Sequence, residues 1–244
     1  LITNIFSDHL DYHRNIKNYI SSKFRIQDFL YKNSCLFLSK NLFLKYRKYI
    51  RINKNRLILN DEKIIYKKEL PNHIRELNLN SIKNLIYFID SRINIKNSDI
   101  SNKLDFRIQL IYNEDTLKIY NDSKCTNLNN AIYKNNLINS SKKILILGGI
   151  FKKQDKDLKF NIKNTLVLIF GNQRDLFINQ LNFINSNYYK FNRLIELINF
   201  LKLLINLRKY EYILFSPGGE SFDSYKNYTD RGNHFNQLIK KILI

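Results

Sequence analysis

No methionine occurs anywhere in the 244 residues, not even at position 1. A reading frame ordinarily opens with one, so Leu1 is expected to be an internal position of a longer chain. Cysteine is nearly as scarce. Cys35 and Cys125 stand far apart without metal-ligand spacing, which excludes a disulfide framework or a paired-cysteine zinc site and makes a reducing compartment the default. Cys35 lies in an apolar run and is expected to be a buried small hydrophobe. Long apolar runs are missing too. The most apolar helix candidate, 194–207, is interrupted by Glu196, Asn199, Lys202 and Asn206, so it is too short and too polar to span a bilayer. The phosphate-binding pattern G-x-x-x-x-G-K-[ST] does not occur. Negative charge is also thin, with 21 Asp+Glu against 41 Lys+Arg and a formal net charge of +20.

That excess of positive charge favours polyanionic partners, with nucleic acid the first candidate. The basic residues are nevertheless spread along the chain rather than gathered, and Asn, Ile and Lys dominate throughout. Codon drift in an AT-rich genome fills solvated surfaces with lysine in this way. The reading adopted is therefore that nucleic acid is not a partner, although a nucleotide substrate would gain from the same field. A hydrophobic content of 44% with 25% charged residues is ordinary for a globular protein, and the length suits two modest domains.

Hydrophobic periodicity predicts a helix over 13–32, with Ile16, Tyr19, Ile20, Phe24 and Phe29 at helical spacing and Lys23 along it. Short β-type runs at 35–38, 49–52, 57–59 and 64–66, punctuated by Asn and Lys, predict a small antiparallel sheet. A helix is expected over 80–93, and the polar, turn-rich 94–103 reads as an interdomain linker. Beyond it, strands at 106–112 and 116–120 are expected to form a hairpin. Helices at 127–137, 172–183, 191–207 and 230–242 then alternate with strands at 143–147, 165–169 and 212–215. Such alternation predicts parallel βαβ units in a wound α/β domain, where ligands bind at the carboxyl ends of strands. The loops 122–126, 148–152 and 216–223 all follow predicted strands, so three polar loops are expected along one sheet edge. The fold class is α/β, with domains 1–100 and 101–244.

The polar clusters carry the chemistry. Asp8-His9-Leu10-Asp11 sets a histidine between carboxylates just before a helix, which suits a divalent cation or acid–base work, but equally an ordinary solvated turn. Lys23 taken alone is a surface helix lysine. Asn121-Asp122-Ser123 can end in a helix cap, Gly148-Gly149 can allow a tight turn, and Ser221 or Asp223 beside Phe222 can cap another. Arg107 suits multidentate phosphate binding, and the Asp122 carboxylate suits paired hydroxyls.

Taken together, these strings resemble motifs of the Mur ligases. Thr3-Asn4, Asp8-His9-Leu10-Asp11, Tyr19 and Lys23 are similar to the family's central-domain motif. Arg107 with Asn121-Asp122-Ser123-Lys124-Cys125-Thr126-Asn127 is similar to a loop of its last domain. Ser216-Pro217, Ser221-Phe222-Asp223, Lys226-Asn227-Tyr228 and Arg231-Gly232 resemble the signature of the D-glutamate-adding branch. The resemblance implies an ATP-dependent amide-forming enzyme: the later part of a central ATPase domain, followed by a Rossmann-like C-terminal domain. It implies Mg²⁺ held by His9 and a carboxylated Lys23. It further implies Arg107 at the ATP phosphates, Asp122 at the ribose, and Lys124 and Thr126 facing the phosphate and acceptor region. Lys152, Ser221, Phe222 and Tyr228 would hold D-glutamate, the acceptor for UDP-N-acetylmuramoyl-L-alanine. A monomeric protein of the cytoplasm or an organelle stroma is expected, without membrane insertion. His73-Ile74-Arg75-Glu76-Leu77 stands where the family has an adenine-contacting asparagine pair, and both asparagines are absent. Lacking the phosphate loop and the UDP-binding domain, residues 1–244 are expected not to catalyse alone. The alternatives are a non-catalytic remnant or binding domain, a folylpolyglutamate synthase-like ligase, and a nucleic-acid-binding module.

Overall fold

A computed structural model describes residues 1–2, 5, 10–60, 70–93, 105–152 and 159–243. The chain divides into two compact units, Leu1–Asn102 and Lys103–Ile244. The expected linker, 94–103, lies wholly outside the described residues, as does the β-type run at 64–66.

In the first unit, α1 (Leu10–His13) leads into α2 (Ile16–Phe24), which Asn15 starts by accepting the Asn18 amide at 2.9 Å. The predicted helix tightens into a 3₁₀ turn over Arg25–Phe29. The apolar run 36–39 forms β1 (Leu36–Ser39), buried throughout, and the Ser39 hydroxyl accepts the Leu42 amide to begin α3 (Lys40–Tyr46). Strand β2 (Leu57–Asn60) pairs with β1 in parallel register, Leu36 opposite Leu57. The expectation of an antiparallel sheet is thus corrected. The connection from β1 to β2 carries α3 and two 3₁₀ turns, which make a crossover and not a hairpin. No strand forms at 49–52, because the chain turns there. The helix expected over 80–93 is longer and earlier, α4 (Leu70–Ile89), with Pro71 in its first turn where a missing amide costs nothing. Phe24, Leu36 and Leu38 make the core of this unit, and Phe24 stacks on Tyr49 at 5.9 Å. Cys35 is only half-buried, contrary to expectation, while Cys125 is buried.

The second unit is built on a six-stranded sheet. Strands β3 (Gln109–Glu114) and β4 (Leu117–Asn121) form the antiparallel hairpin. Strands β5 (Lys143–Gly148) and β7 (Thr165–Phe170) are buried along their whole length, as a parallel sheet covered on both faces requires. A separate parallel pair is made by β6 (Phe160–Lys163) and β8 (Leu181–Ile184), while β9 (Asn187–Phe191) closes one edge of the main sheet. Strand β10 (Tyr212–Gly218) inserts between β4 and β5, giving the order β3-β4-β10-β5-β7-β9.

Helices α7 (Leu194–Asn206) and α8 (Tyr228–Leu243) cover one face, meeting Ile119, Ile144, Ile146, Leu168, Ile213 and Phe215. Phe215 and Phe235 stack there at 4.0 Å with planes 7° apart. Each such side chain contributes roughly 1.5–3 kcal/mol by leaving water. The short helix α6 (Arg174–Asn179) and α5 (Leu128–Leu137) lie against the sheet on its other side, burying Phe177 and Leu128, Ala131 and Ile132. Three of these elements were not foreseen. The alternation in Phe160-Asn161-Ile162-Lys163 was a signal for β6, but β9, Asn187-Tyr188-Tyr189-Lys190-Phe191, is an exposed edge with no apolar face to show. Among the described residues no helix is long and apolar enough to cross a membrane.

Candidate functional site at the carboxyl edge of the sheet

The parallel strands of the second unit all point one way, so their following loops gather at one edge. The loop after β4 is anchored first. The Asp122 amide donates to Phe215 O at 2.7 Å, Cys125 N to Asp122 O at 2.8 Å, and Gly218 N to Cys125 O at 3.0 Å, tying it to β10. Asn127 then caps α5 by accepting from the Asn130 amide at 3.2 Å.

Asp122 lies inside this knot, 1% exposed. Its Oδ2 accepts from Lys134 Nζ at 2.6 Å and Ser216 Oγ at 2.7 Å, and its Oδ1 from the Ile108 amide at 3.3 Å. In this conformation the carboxylate expected at a ribose is turned inward, binding α5 and β10 to the approach of β3. Arg231, expected only as part of a signature string, is fully buried at 0% exposure. Its Nε donates to Ser123 Oγ at 3.1 Å, Nη2 to Ser123 O at 2.8 Å and Nη1 to Gly219 O at 3.0 Å, joining α8 to two of the three loops. Burial pulls the guanidinium down to about 10, with Asp223 opposing the shift, so it stays cationic at neutral pH. Ser123 Oγ in turn donates to Tyr228 O at 2.7 Å.

The loop after β5 joins the same assembly. Ile150 and Glu220 exchange backbone hydrogen bonds of 2.8 and 2.9 Å, pairing this loop with the one after β10. Glycine is required at 149: φ is +94°, and a Cβ there would sit 2.2 Å from Glu220 O. Phe151 donates its amide to Gln173 Oε1 at 2.7 Å and meets Phe177 edge-on at 5.0 Å, which draws in the loop after β7. Three predicted loops and one more therefore share one edge.

The side chains singled out from sequence are distributed as follows. Lys124 is half-buried with its ammonium 3.9 Å from the centre of the Tyr228 ring. Thr126 is half-buried in the same loop, and Ser221 is buried in the loop after β10. Lys152 reaches Glu220 Oε1 at 3.5 Å. Phe222 is 66% exposed. Arg107 is exposed and stands in the bend before β3, not within a strand, because Phe106 and Ile108 take φ values of +57° and +50°. In the first unit Lys23 is exposed on α2, its ammonium 5.1 Å from the centre of the Tyr19 ring. His9 lies outside the described residues, and the His73–Leu77 string falls on helix positions whose side chains also lie outside them. Among the described residues no group of three or more His, Cys, Asp or Glu side chains is arranged to hold a metal ion.

The opposite, amino-terminal edge of the sheet carries two open concavities of about 800 and 730 Å³. Lys143 borders the smaller one, yet its ammonium is buried and donates to Asn135 O at 3.1 Å and Ile138 O at 2.7 Å, closing the end of α5. Burial lowers its pKa from 10.5 to about 8. Between those values the unfolded chain binds the extra proton, so stability rises with pH across the window. Thermal melts should show the chain gaining on Lys143→Met from pH 8 to 10.5, with no relative change below pH 7.

Two roles were not legible in the sequence. Lys134 is one more basic residue of a helix and Glu220 one more polar residue of a loop, but each is half of an ion pair at the carboxyl edge.

Comparison with known proteins places this architecture. Residues 1–93 match the Mur ligase middle domain. The chain is 27% identical over 256 residues to the UDP-N-acetylmuramoylalanine–D-glutamate ligase of Fervidobacterium nodosum, covering 100% of this chain and 58% of that protein. The ligase of the same name from Thermosipho africanus is 30% identical over 257 residues, covering 98% and 56%. The chain thus spans a little over half the length of these relatives. A crystal structure of MurF from Acinetobacter baumannii shares the fold with a TM-score of 0.59 at 12% identity, over 98% of this chain and 58% of that one. With a match to the Mur ligase middle domain over its first 93 residues and similarity to the D-glutamate ligases that continues to its end, the chain is similar to Mur ligases along its whole length.

Proposed function

We propose that this chain is the later portion of a ligase that joins D-glutamate to UDP-N-acetylmuramoyl-L-alanine, with ATP as phosphoryl donor. Residues 1–100 would belong to its central ATP-binding domain and 101–244 to its C-terminal domain. One observation carries the reading: Lys124, Thr126, Lys152 and Ser221 stand on loops tied to one another at a single sheet edge. Two lysines and two hydroxyls are the donor set that a phosphoryl group and an amino-acid dicarboxylate require.

The roles proposed are those the resemblance implies, and the shared sheet edge supports them. Lys152 and the Ser221 hydroxyl receive the carboxylates of D-glutamate, leaving its amine directed at the activated alanine carboxyl. ATP gives up its terminal phosphoryl group, leaving ADP, to make this carboxyl an acyl phosphate; the amine attacks its carbonyl carbon and, with loss of a proton, expels phosphate to give the amide. Lys124, held by the Tyr228 ring, offsets negative charge on the transferred group, and exposed Arg107 is available to the ATP phosphates. Asp122 acts by fixing the loop that presents Lys124 and Thr126. His9 and Lys23, the latter once carboxylated to an anionic carbamate, are proposed to hold Mg²⁺, which would supply charge neutralisation at the phosphates. The family's cytoplasmic setting and a monomeric state are part of the same reading.

The test is made on the product of the whole reading frame that encodes residues 1–244. Phosphate release should require ATP, UDP-N-acetylmuramoyl-L-alanine and D-glutamate together. Lys124→Ala should lower kcat by about 10²–10³, the usual loss when one charge-stabilising donor is removed. A folded product that releases no phosphate, or releases it without D-glutamate, overturns the proposal and favours a non-catalytic remnant.

A further inference from the structure

Resting on that reading, we infer that Glu220 is a tethered stand-in for a carboxylate of the acceptor, seated on Lys152 and displaced when the acceptor binds. The contact is Lys152 Nζ to Glu220 Oε1 at 3.5 Å, with the side chains 19% and 38% exposed. The chemistry is that of the ligand itself, because a glutamyl carboxylate occupies the ammonium assigned to a free glutamate.

The backbone explains why the pair forms. The two hydrogen bonds between Ile150 and Glu220 lock the loops together, so that Lys152 and Glu220 emerge side by side. Close approach on both sides depends on glycine, since a Cβ at Gly219 would lie 2.7 Å from Gly148 O and one at Gly149 2.2 Å from Glu220 O. Main-chain position is therefore fixed, whereas the carboxylate at 38% exposure can swing into solvent by side-chain rotation. Release of such a pair is not costly, because partly exposed ion pairs are weak.

The consequence is selection. A ligand carrying one carboxylate must displace Glu220 with a single anchor. A dicarboxylate displaces it while its second carboxylate engages Ser221, so the contest favours two-point binding. Glu220 also places an anion close to the bound ligand, which lowers affinity overall and speeds departure.

The experiment is equilibrium titration of the product of the whole reading frame that encodes residues 1–244 with D-glutamate, L-glutamate as control, followed by calorimetry or ligand-observed NMR. Glu220→Gln keeps the size and the backbone pairing. It should bind D-glutamate roughly two- to fivefold more tightly, the gain expected from removing a competing, partly exposed ion pair. That gain should vanish when Lys152→Ala is added. Equal or weaker binding by Glu220→Gln, with D-glutamate still preferred over L-glutamate, overturns the role of Glu220 and leaves the acceptor site standing. No preference for D-glutamate in any of the proteins overturns the acceptor site, and the stand-in with it.

Discussion

Replacing Arg231 by methionine is expected to lower the unfolding free energy by roughly 3–5 kcal/mol, the range seen when a buried, hydrogen-bonded charge network loses a partner. The side chain is 0% exposed and makes three hydrogen bonds to two different loops, so no water replaces it. Its loss leaves Ser123 O and Gly219 O without their donor in a closed space, and a buried unsatisfied acceptor costs more than the bond itself contributed. Arg231→Lys should recover little. A single ammonium carries charge but cannot span Ser123 and Gly219 as the planar fork does. Urea unfolding is the measurement. The midpoint should fall with the slope unchanged, which separates a loss of stability from a change in the denatured state. A fall below about 1 kcal/mol would show that the fork is dispensable.

Asp122→Ala should have an effect of similar size, about 3–5 kcal/mol, by a related route. The substitution strands the Lys134 ammonium and the Ser216 hydroxyl, both within 2.7 Å of the carboxylate. The distinguishing measurement is a double-mutant cycle with Lys134→Met. Removing both charges together leaves no unpaired ion, so Asp122→Ala/Lys134→Met should be more stable than Asp122→Ala alone. If the two losses simply add, the pair is not coupled. The same cycle bears on function, since a loop that loosens at Asp122 carries Lys124 and Thr126 with it.

Much of the second unit could be read from its residues. The continuous apolar runs at 143–147 and 165–169 have the pattern of strands buried on both faces, and the helical spacing of 191–207 is unambiguous. The three loop clusters stand out because polar residues follow each strand. The first unit was less legible. Its short strands were found at 35–38 and 57–59, but their relative direction depends on whether the intervening chain turns back or crosses over, and α3 decided that. Strand β9 carries four exposed residues and one half-buried one, so no periodicity marks it, and it exists because Tyr188 pairs with Val167 of β7.

Single residues show where sequence reading stops. Asp122 in Asn-Asp-Ser-Lys has the composition of a ligand-binding turn, and nothing local says which way the carboxylate points. That direction is set by Lys134, twelve residues on, and Ser216, ninety-four residues on. Arg231 likewise sits in an amphipathic helix as one more basic residue, and its burial follows only from the loops that fold over it.

The residue order by itself determined most of the strands and helices of the wound sheet, β9 excepted, and therefore that the loops bearing Lys124, Lys152 and Ser221 share an edge. Periodicity is a local property, and parallel connection fixes the edge once the elements are known. Tertiary structure alone decided which charged groups face outward and which are spent inside. Burial and ion pairing depend on neighbours brought together by folding, as Glu220 meets Lys152 across a backbone bridge that two glycines permit.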